Sequence, residues 1–400
     1  VSVSKHLTIP GRMEPPCEPI EWTQPLQLPR AGSLCADFLW SQPGSFQDRE
    51  VYGHSASVVG DTVWVLGGKN QSGKRISVHC FCPKTLTWSN RSPADSSYAP
   101  CARWGHSVCE VPGALLLVVG GFDQKHNLRD TWGLDTEDGS FVDLCDDLLI
   151  FGAYHSIVFD DATSCIVLFG GQCCVNGPYE YYNDVHVLDY ADPSEETPGW
   201  LPALVKGNAP APRAQHGAVL VGSKMVVYGG ADAHHQFNDV WMLDLVNYTW
   251  QELRPSNLSE PPPPVEALQE QHFRVKSSRS ILGLHEMKLM VLGQGRGRSS
   301  KKYGLYVFDL QRQEWKIAPT MQGRPLWRGN AAGWISHDEL WVHGGHLGDD
   351  TQPRQVVLRL QSGPTALIQR TVRGIVALPH ENLKLVFSFL SGSVADLLWS

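Results

Sequence analysis

The chain has no Cys-x-x-Cys pair, although it holds ten cysteines. They are irregularly spaced, with Cys80 and Cys82 alternating and Cys173 beside Cys174. That leaves no paired metal-ligand pattern and reads as reduced thiols in the core and loops of an intracellular protein. No apolar run nears the roughly 18 residues of a membrane-spanning helix; strings such as VPGALLLVVGG stop at glycines. Positive charge is scarce. Against 41 Asp and Glu stand 33 Lys and Arg, a net charge of −8. Broad phosphate binding needs the opposite balance, so neither nucleic acid nor membrane is an expected partner. G-x-S-x-G, H-E-x-x-H and P-loop signatures are missing too, and the sequence predicts no enzyme: no catalytic residue, no metal and no cofactor.

Glycine and proline are plentiful, at 38 and 27 residues, which suits many turns. Four N-x-S/T sequons stand at Asn70, Asn90, Asn247 and Asn257, where chance gives roughly one or two. With a chain that begins at Val1, they keep open a lost signal peptide and a secreted or lumenal protein, or an accessory domain cut from a longer enzyme.

The dominant signal is a repeat. Apolar strings ending in two glycines recur as VWVLGG (63–68), LLLVVGG (115–121), IVLFGG (166–171), MVVYGG (225–230) and LWVHGG (340–345). A sixth, LMVLGQG (289–295), breaks the doublet with Gln294. Successive first glycines lie 53, 50, 59, 64 and 51 residues apart, a period that fits four-stranded units. Each unit has one grammar. A turn carrying His54, His106, His155 or His216 precedes a strand, and the diglycine strand follows. After a polar loop comes a strand ending near Leu-Asp, then a tight turn and an aromatic-led strand at Trp88, Phe141, Trp200, Trp250 or Trp315. Glycine is needed where backbones approach closely or take positive φ. The aromatic is expected to fill the wedge between neighbouring sheets, and each histidine to cap a turn within its own unit.

This pattern resembles the kelch repeat over residues 35 to 361. The resemblance implies an all-β fold, a six-bladed kelch β-propeller, with Gly67, Gly68, Gly120, Gly121, Gly170, Gly171, Gly229, Gly230, Gly344, Gly345, Trp88, Trp250 and Trp315 as its structural residues. The sixth repeat ends at QVVLRL (355–360) with no aromatic-led strand. CADFLWSQPG (35–44) carries Trp40 in that slot, so it is expected to complete the last blade and leave no open sheet edge. The expected organisation is an irregular extension over 1–34, a propeller over 35–362 and a helical tail over 363–400.

The tail has helical spacing: Leu367, Ile368, Thr371, Val372, Ile375 and Val376 share one face, and Pro379 opens a second helix. Ala366-Leu367 with Thr371 and Ile375 is similar to an elongin-binding box, with Thr371 where Cys, Ser or Ala is usual. Leu378-Pro379 looks like the start of a cullin box, with Asn382 where an apolar residue is usual and Leu383 one place late. The resemblance implies a substrate receptor of a cullin-RING ubiquitin ligase, cytoplasmic or nuclear. Its partners would be elongin B/C and a cullin at Leu367, Thr371, Ile375, Leu378, Pro379 and Leu383, and a substrate peptide or degron on the propeller. The alternatives are a kelch scaffold without a ligase, its tail a structural cover, or the secreted or accessory proteins named above.

Propellers bind partners through loops on one face. Arg103, Trp104, Arg213, Arg279, Arg296, Arg298, Trp327 and Arg328 fall in such loops and are the expected substrate contacts, since arginines over an aromatic wall suit carboxylates. Relatives that read substrate C-termini use arginines in a loop after one diglycine; the fourth-repeat loop here, Ala231 to Gln236, has none.

Overall fold

The computed structural model describes residues 39–41, 52–69, 73–145, 152–174, 177–190, 199–255, 282–285, 287–295, 302–317, 332–336, 339–344 and 357–361. Their strands form six four-stranded sheets. The first holds Ser55–Val59, Thr62–Leu66, Val78–Cys82 and Thr87–Asn90. The second holds Ser107–Val111, Leu115–Phe122, Asn127–Asp135 and Phe141–Cys145. The third holds Ser156–Asp160, Cys165–Cys173, Glu180–Asp189 and the short Leu201–Pro202. The fourth holds Gly217–Leu220, Lys224–Tyr228, Val240–Asp244 and Thr249–Glu252. The fifth holds Leu282–His285, Lys288–Gly295, Lys302–Asp309 and Glu314–Ile317.

The sixth sheet joins the two ends of the chain. Ala332–Ser336, Glu339–His343 and Val357–Gln361 are followed, as fourth strand, by Leu39–Ser41. The register is Leu39 opposite Gln361, Trp40 opposite Leu360 and Ser41 opposite Arg359. First strands of successive sheets lie side by side, and Ala332–Ser336 neighbours both Leu282–His285 and Ser55–Val59. The sheets therefore close on themselves in a ring.

Alternation along each strand fills the wedges between sheets. Leu116 and Val118 pack toward the first sheet, with Trp64, Leu66 and Val78. Leu117 and Val119, between them in sequence, pack toward the third, with Ile166, Leu168 and Leu188. The aromatics heading the outer strands all lean on the preceding sheet: Phe141 on the first, Trp200 on the second, Trp250 on the third and Trp315 on the fourth. Trp88 leans on the sixth, its ring 5.0 Å from that of His343.

The Leu-Asp endings have a local cause. Asp244 Oδ1 accepts hydrogen bonds from the Val246 and Asn247 amides, Asp309 Oδ1 from those of Gln311 and Arg312, and Asp135 Oδ1 from those of Glu137 and Asp138. Each carboxylate caps the turn that reverses the chain.

The candidate ligand-binding face

Both glycines of a doublet are required, each by a different neighbour. Gly67 has φ +62°. A Cβ there would lie 2.6 Å from Cε1 of His106, in the next sheet, and 2.7 Å from the Arg103 carbonyl oxygen. Gly121 has φ +105°, and a Cβ there would lie 3.0 Å from Cβ of the same His106. The histidine thus sits between the first glycine of the preceding sheet and the second glycine of its own. His155 and His216 repeat the arrangement.

The histidines are the first correction to the sequence reading. They were expected to cap turns in their own unit, and the rings of His106, His155 and His216 reach across to the preceding sheet. His106 Nε2 lies 2.9 Å from Ser55 Oγ, and His216 Nε2 lies 2.7 Å from Ser156 Oγ. His155 is reached through its backbone, its carbonyl accepting a 2.6 Å bond from Ser107 Oγ. All three rings are buried.

Arg103 and Arg213 are the second correction. They were expected to contact a substrate, but both are fully buried. Arg103 donates to both oxygens of Asp130 at 2.7 Å, to the Gly120 carbonyl at 3.0 Å, and to the Cys101 carbonyl and sulfur at 3.1 and 3.6 Å. Those bonds engage all five guanidinium N–H groups. Arg213 repeats this in the fourth sheet, with Asp239 at 2.7 and 3.0 Å, the Gly229 carbonyl at 2.9 Å and the Ala211 carbonyl at 3.0 Å. The Phe237 ring lies 4.1 Å away and covers the Arg213 guanidinium. Burial pushes the Asp130 carboxyl up, but the hydrogen bonds and charge of Arg103, with the Trp132 indole, outweigh it and hold Asp130 below its ordinary value. Sequence reading missed both carboxylates, although a signal was present: Asp130-Thr131-Trp132 and Asp239-Val240-Trp241 repeat an Asp-x-Trp whose indole N–H bonds the same carboxylate at 2.7 Å.

A chain of backbone bonds links the sheets beside these arginines. The Gly105 amide donates to the Gly53 carbonyl at 2.7 Å, that of Tyr154 to Gly105 at 2.6 Å, and that of Gln215 to Tyr154 at 2.9 Å. All four residues have φ between +60° and +69°, and for Tyr154 and Gln215 a side chain is held in that strained region. The Tyr154 ring lies against Gly105, where an added Cβ would approach it to 3.1 Å.

Around this chain stand the partly exposed groups able to meet a partner. Trp104 is half-buried, edge-on to Phe122 at 5.0 Å. The exposed Lys69 lies 5.3 Å from the Trp104 ring and 5.7 Å from the Tyr52 ring. Two loops that follow diglycines, in the second and fourth sheets, are preset by carboxylates. Asp123 Oδ1 accepts from the Lys125 and His126 amides, and Asp232 Oδ1 from those of His234 and His235. The face is therefore an aromatic shelf with an ammonium on it, framed by rigid turns. Among the described residues no group of three His, Cys, Asp or Glu side chains could hold a metal ion. Burial pushes the Cys80 thiol up to about 11 and that of Cys109 up to about 12, so neither is a thiolate at neutral pH.

Other expected contacts lie outside the described residues: Arg279, Arg296, Arg298, Trp327, Arg328, Gly345, and the whole tail with Leu367, Thr371, Ile375, Leu378, Pro379 and Leu383.

Sheets packed in a closed ring, with recognition chemistry on the loops of one end, define a β-propeller binding module. Residues 36–147 and 151–345 match the family described as the KLHDC2/KLHL20/DRC7 Kelch-repeats domain, and the chain belongs to it. It is a kelch β-propeller protein-binding module, of a kind that is typically non-catalytic. It is 28% identical over 211 residues to Kelch domain-containing protein 3 of Homo sapiens, covering 51% of this chain and 54% of the relative. It is 29% identical over 247 residues to an F-box/kelch-repeat protein of Arabidopsis thaliana, covering 55% and 48%. Acyl-CoA-binding domain-containing protein 5 of Arabidopsis thaliana is 26% identical over 326 residues, covering 78% and 46%. The chain spans about half the length of these curated relatives.

Proposed function

We propose that the chain is a substrate receptor of a cullin-RING ubiquitin ligase, working in the cytoplasm or nucleus. In this reading a six-bladed ring over 35–362 holds a substrate peptide on its diglycine face, and the tail over 363–400 docks elongin B/C and a cullin. The observation that carries it is where the last strand ends. Val357 lies opposite His343, beside the diglycine, whereas Gln361 lies opposite Glu339 and Leu39 at the other end of the sheet. That end is remote from the Trp104–Lys69 shelf, so substrate and ligase would not compete for one face.

Trp104 and Lys69 are the described contacts for an acidic or carboxylate-bearing peptide, joined in this proposal by Arg279, Arg296, Arg298, Trp327 and Arg328. Repeat register favours Arg328. It precedes Ala332 by four residues, as Arg213 precedes Gly217, but Val356 stands before the third strand where the fourth repeat has Asp239. The carboxylate that pairs with Arg213 in the fourth repeat is therefore replaced by an apolar residue at the equivalent position of the sixth.

The test is capture of elongin B/C by the full chain and by Leu367→Asp, with circular dichroism confirming the fold. Loss of capture supports the reading; undiminished capture overturns the box assignment. The acyl-CoA-binding relative, whose likeness covers 78% of this chain, favours a second reading, a kelch scaffold without a ligase. Elongin-free purification with partners still bound to the propeller would select it.

A further inference from the structure

The seam between the sixth and first sheets carries a contact unlike the His–Ser seams of the ring. Between the first and second sheets the histidine of the later sheet meets a hydroxyl, His106 to Ser55, and between the third and fourth His216 meets Ser156. Each serine begins its sheet's first strand. In the sixth sheet that place belongs to Ala332, which has no hydroxyl. The ring at the next sheet, His54, instead meets the residue paired across from Ala332. That residue is His343, and its Nδ1 lies 3.1 Å from His54 Nε2. The position of His343, last before the diglycine, is Leu66, Val119, Phe169, Tyr228 and Leu292 in the other repeats. Two exchanges, serine to alanine and an apolar residue to histidine, have therefore put a buried imidazole pair where the ring closes. His54 is 1% and His343 3% exposed.

We propose that this pair is an acid-sensitive latch on the closing seam. Near neutral pH one ring donates and the other accepts, so at least one nitrogen must be without a proton. When both rings are protonated, two positive charges face each other across 3.1 Å with no lone pair left to accept. The wedge beside them is lined by Val63, Val65, Phe81, Trp88, Trp334 and Trp341, whose side chains carry no oxygen to accept from a charged ring. Among the described residues, the titratable groups on the elements packed against the pair are positive or become so. His79 lies two residues from Phe81 on the same side of its strand, and His106 bonds Ser55 next to His54. Lys69 stands over the Tyr52 and Trp104 rings, and Arg103 is bound to Asp130. Asp61, the carboxylate of the first sheet's inner hairpin, is at the opposite end of that sheet, paired with Lys84. Acid thus loosens the contact between the first and sixth sheets, and the sixth is the sheet in which the two ends of the chain are joined.

Hydrogen exchange of the full chain through the imidazole titration range tests this, with rates corrected for the intrinsic effect of pH. Peptides spanning 52–66 and 332–344 are expected to exchange about tenfold faster near pH 5.5 than near pH 7.5, relative to peptides spanning 107–122 and 217–228. The double variant Ala332→Ser/His343→Leu gives the seam the Ser55/Leu66 chemistry of the first sheet and should abolish the excess. His343→Phe alone, which keeps an aromatic against Trp88, should do the same if the double variant folds poorly. Equal acceleration at all seams overturns the latch, as does an excess that survives both variants.

Discussion

The Arg213 guanidinium donates to both carboxylate oxygens of Asp239, at 2.7 and 3.0 Å, with its own side chain 1% exposed and that of Asp239 26% exposed. Arg103 and Asp130 form the same pair two sheets earlier. A residue that looks in sequence like a ligand-binding arginine is in both places a girder holding a first-strand turn to the third strand.

Removing the carboxylate should hurt more than removing the arginine. Asp239→Ala leaves a buried cation uncompensated and is expected to cost about 3 kcal/mol of stability. Arg213→Met leaves a carboxylate that already touches water and keeps the apolar stem against Phe237, so it should cost less. Urea unfolding of the two variants gives the ranking; the reverse order would count against the buried-charge argument.

Acid should undo the Arg103–Asp130 pair in a defined window. Asp130 is held below its ordinary value of 3.8, because the hydrogen bonds and charge of Arg103 outweigh the upward push of burial. The unfolded chain therefore binds the proton first, and the contribution is whole above about pH 4. It is lost as pH falls through the lower folded value. Urea midpoints taken downward from about pH 5 should show the loss, and Asp130→Asn should flatten it.

Glycines that look alike in sequence should tolerate alanine very differently. Gly67→Ala adds a Cβ 2.6 Å from the His106 ring at φ +62° and should cost about 3 kcal/mol or more. Gly222→Ala, at φ +55° with nothing within 4 Å of the new atom, should cost only the backbone strain of about 1 kcal/mol. Thermal or urea unfolding of the pair measures the difference.

Trp250 tests the wedge. It is 4% exposed, with its ring 4.8 Å from Phe169 of the preceding sheet. Trp250→Ala should cost about 3–5 kcal/mol, and Trp250→Phe clearly less because the ring contact survives. Exchange at Cys165–Cys173 should rise together with that at Thr249–Glu252, because the side chain joins two sheets.

The repeat grammar was legible because it is local. Two-residue alternation makes the strands, Asp135, Asp244 and Asp309 make the turns, and the diglycines recur at a regular interval. Even the borrowed strand was legible, since counting aromatic-led strands left one slot empty and Leu39–Ser41 fills it beside Val357–Gln361. Within the candidate face, Trp104 was named from sequence, whereas the part played by Lys69 depends on rings from two different sheets.

Tertiary structure decided where the recurring polar residues point. A strand pattern specifies which side of its own sheet a residue faces, but not which group of the next sheet it will meet. His106 finds Ser55 and His54 finds His343 only because the sheets pack at the distance the diglycines permit. Arg103 is spent on Asp130, 27 residues away, because a buried guanidinium must be neutralised by whatever carboxylate the packing brings within reach.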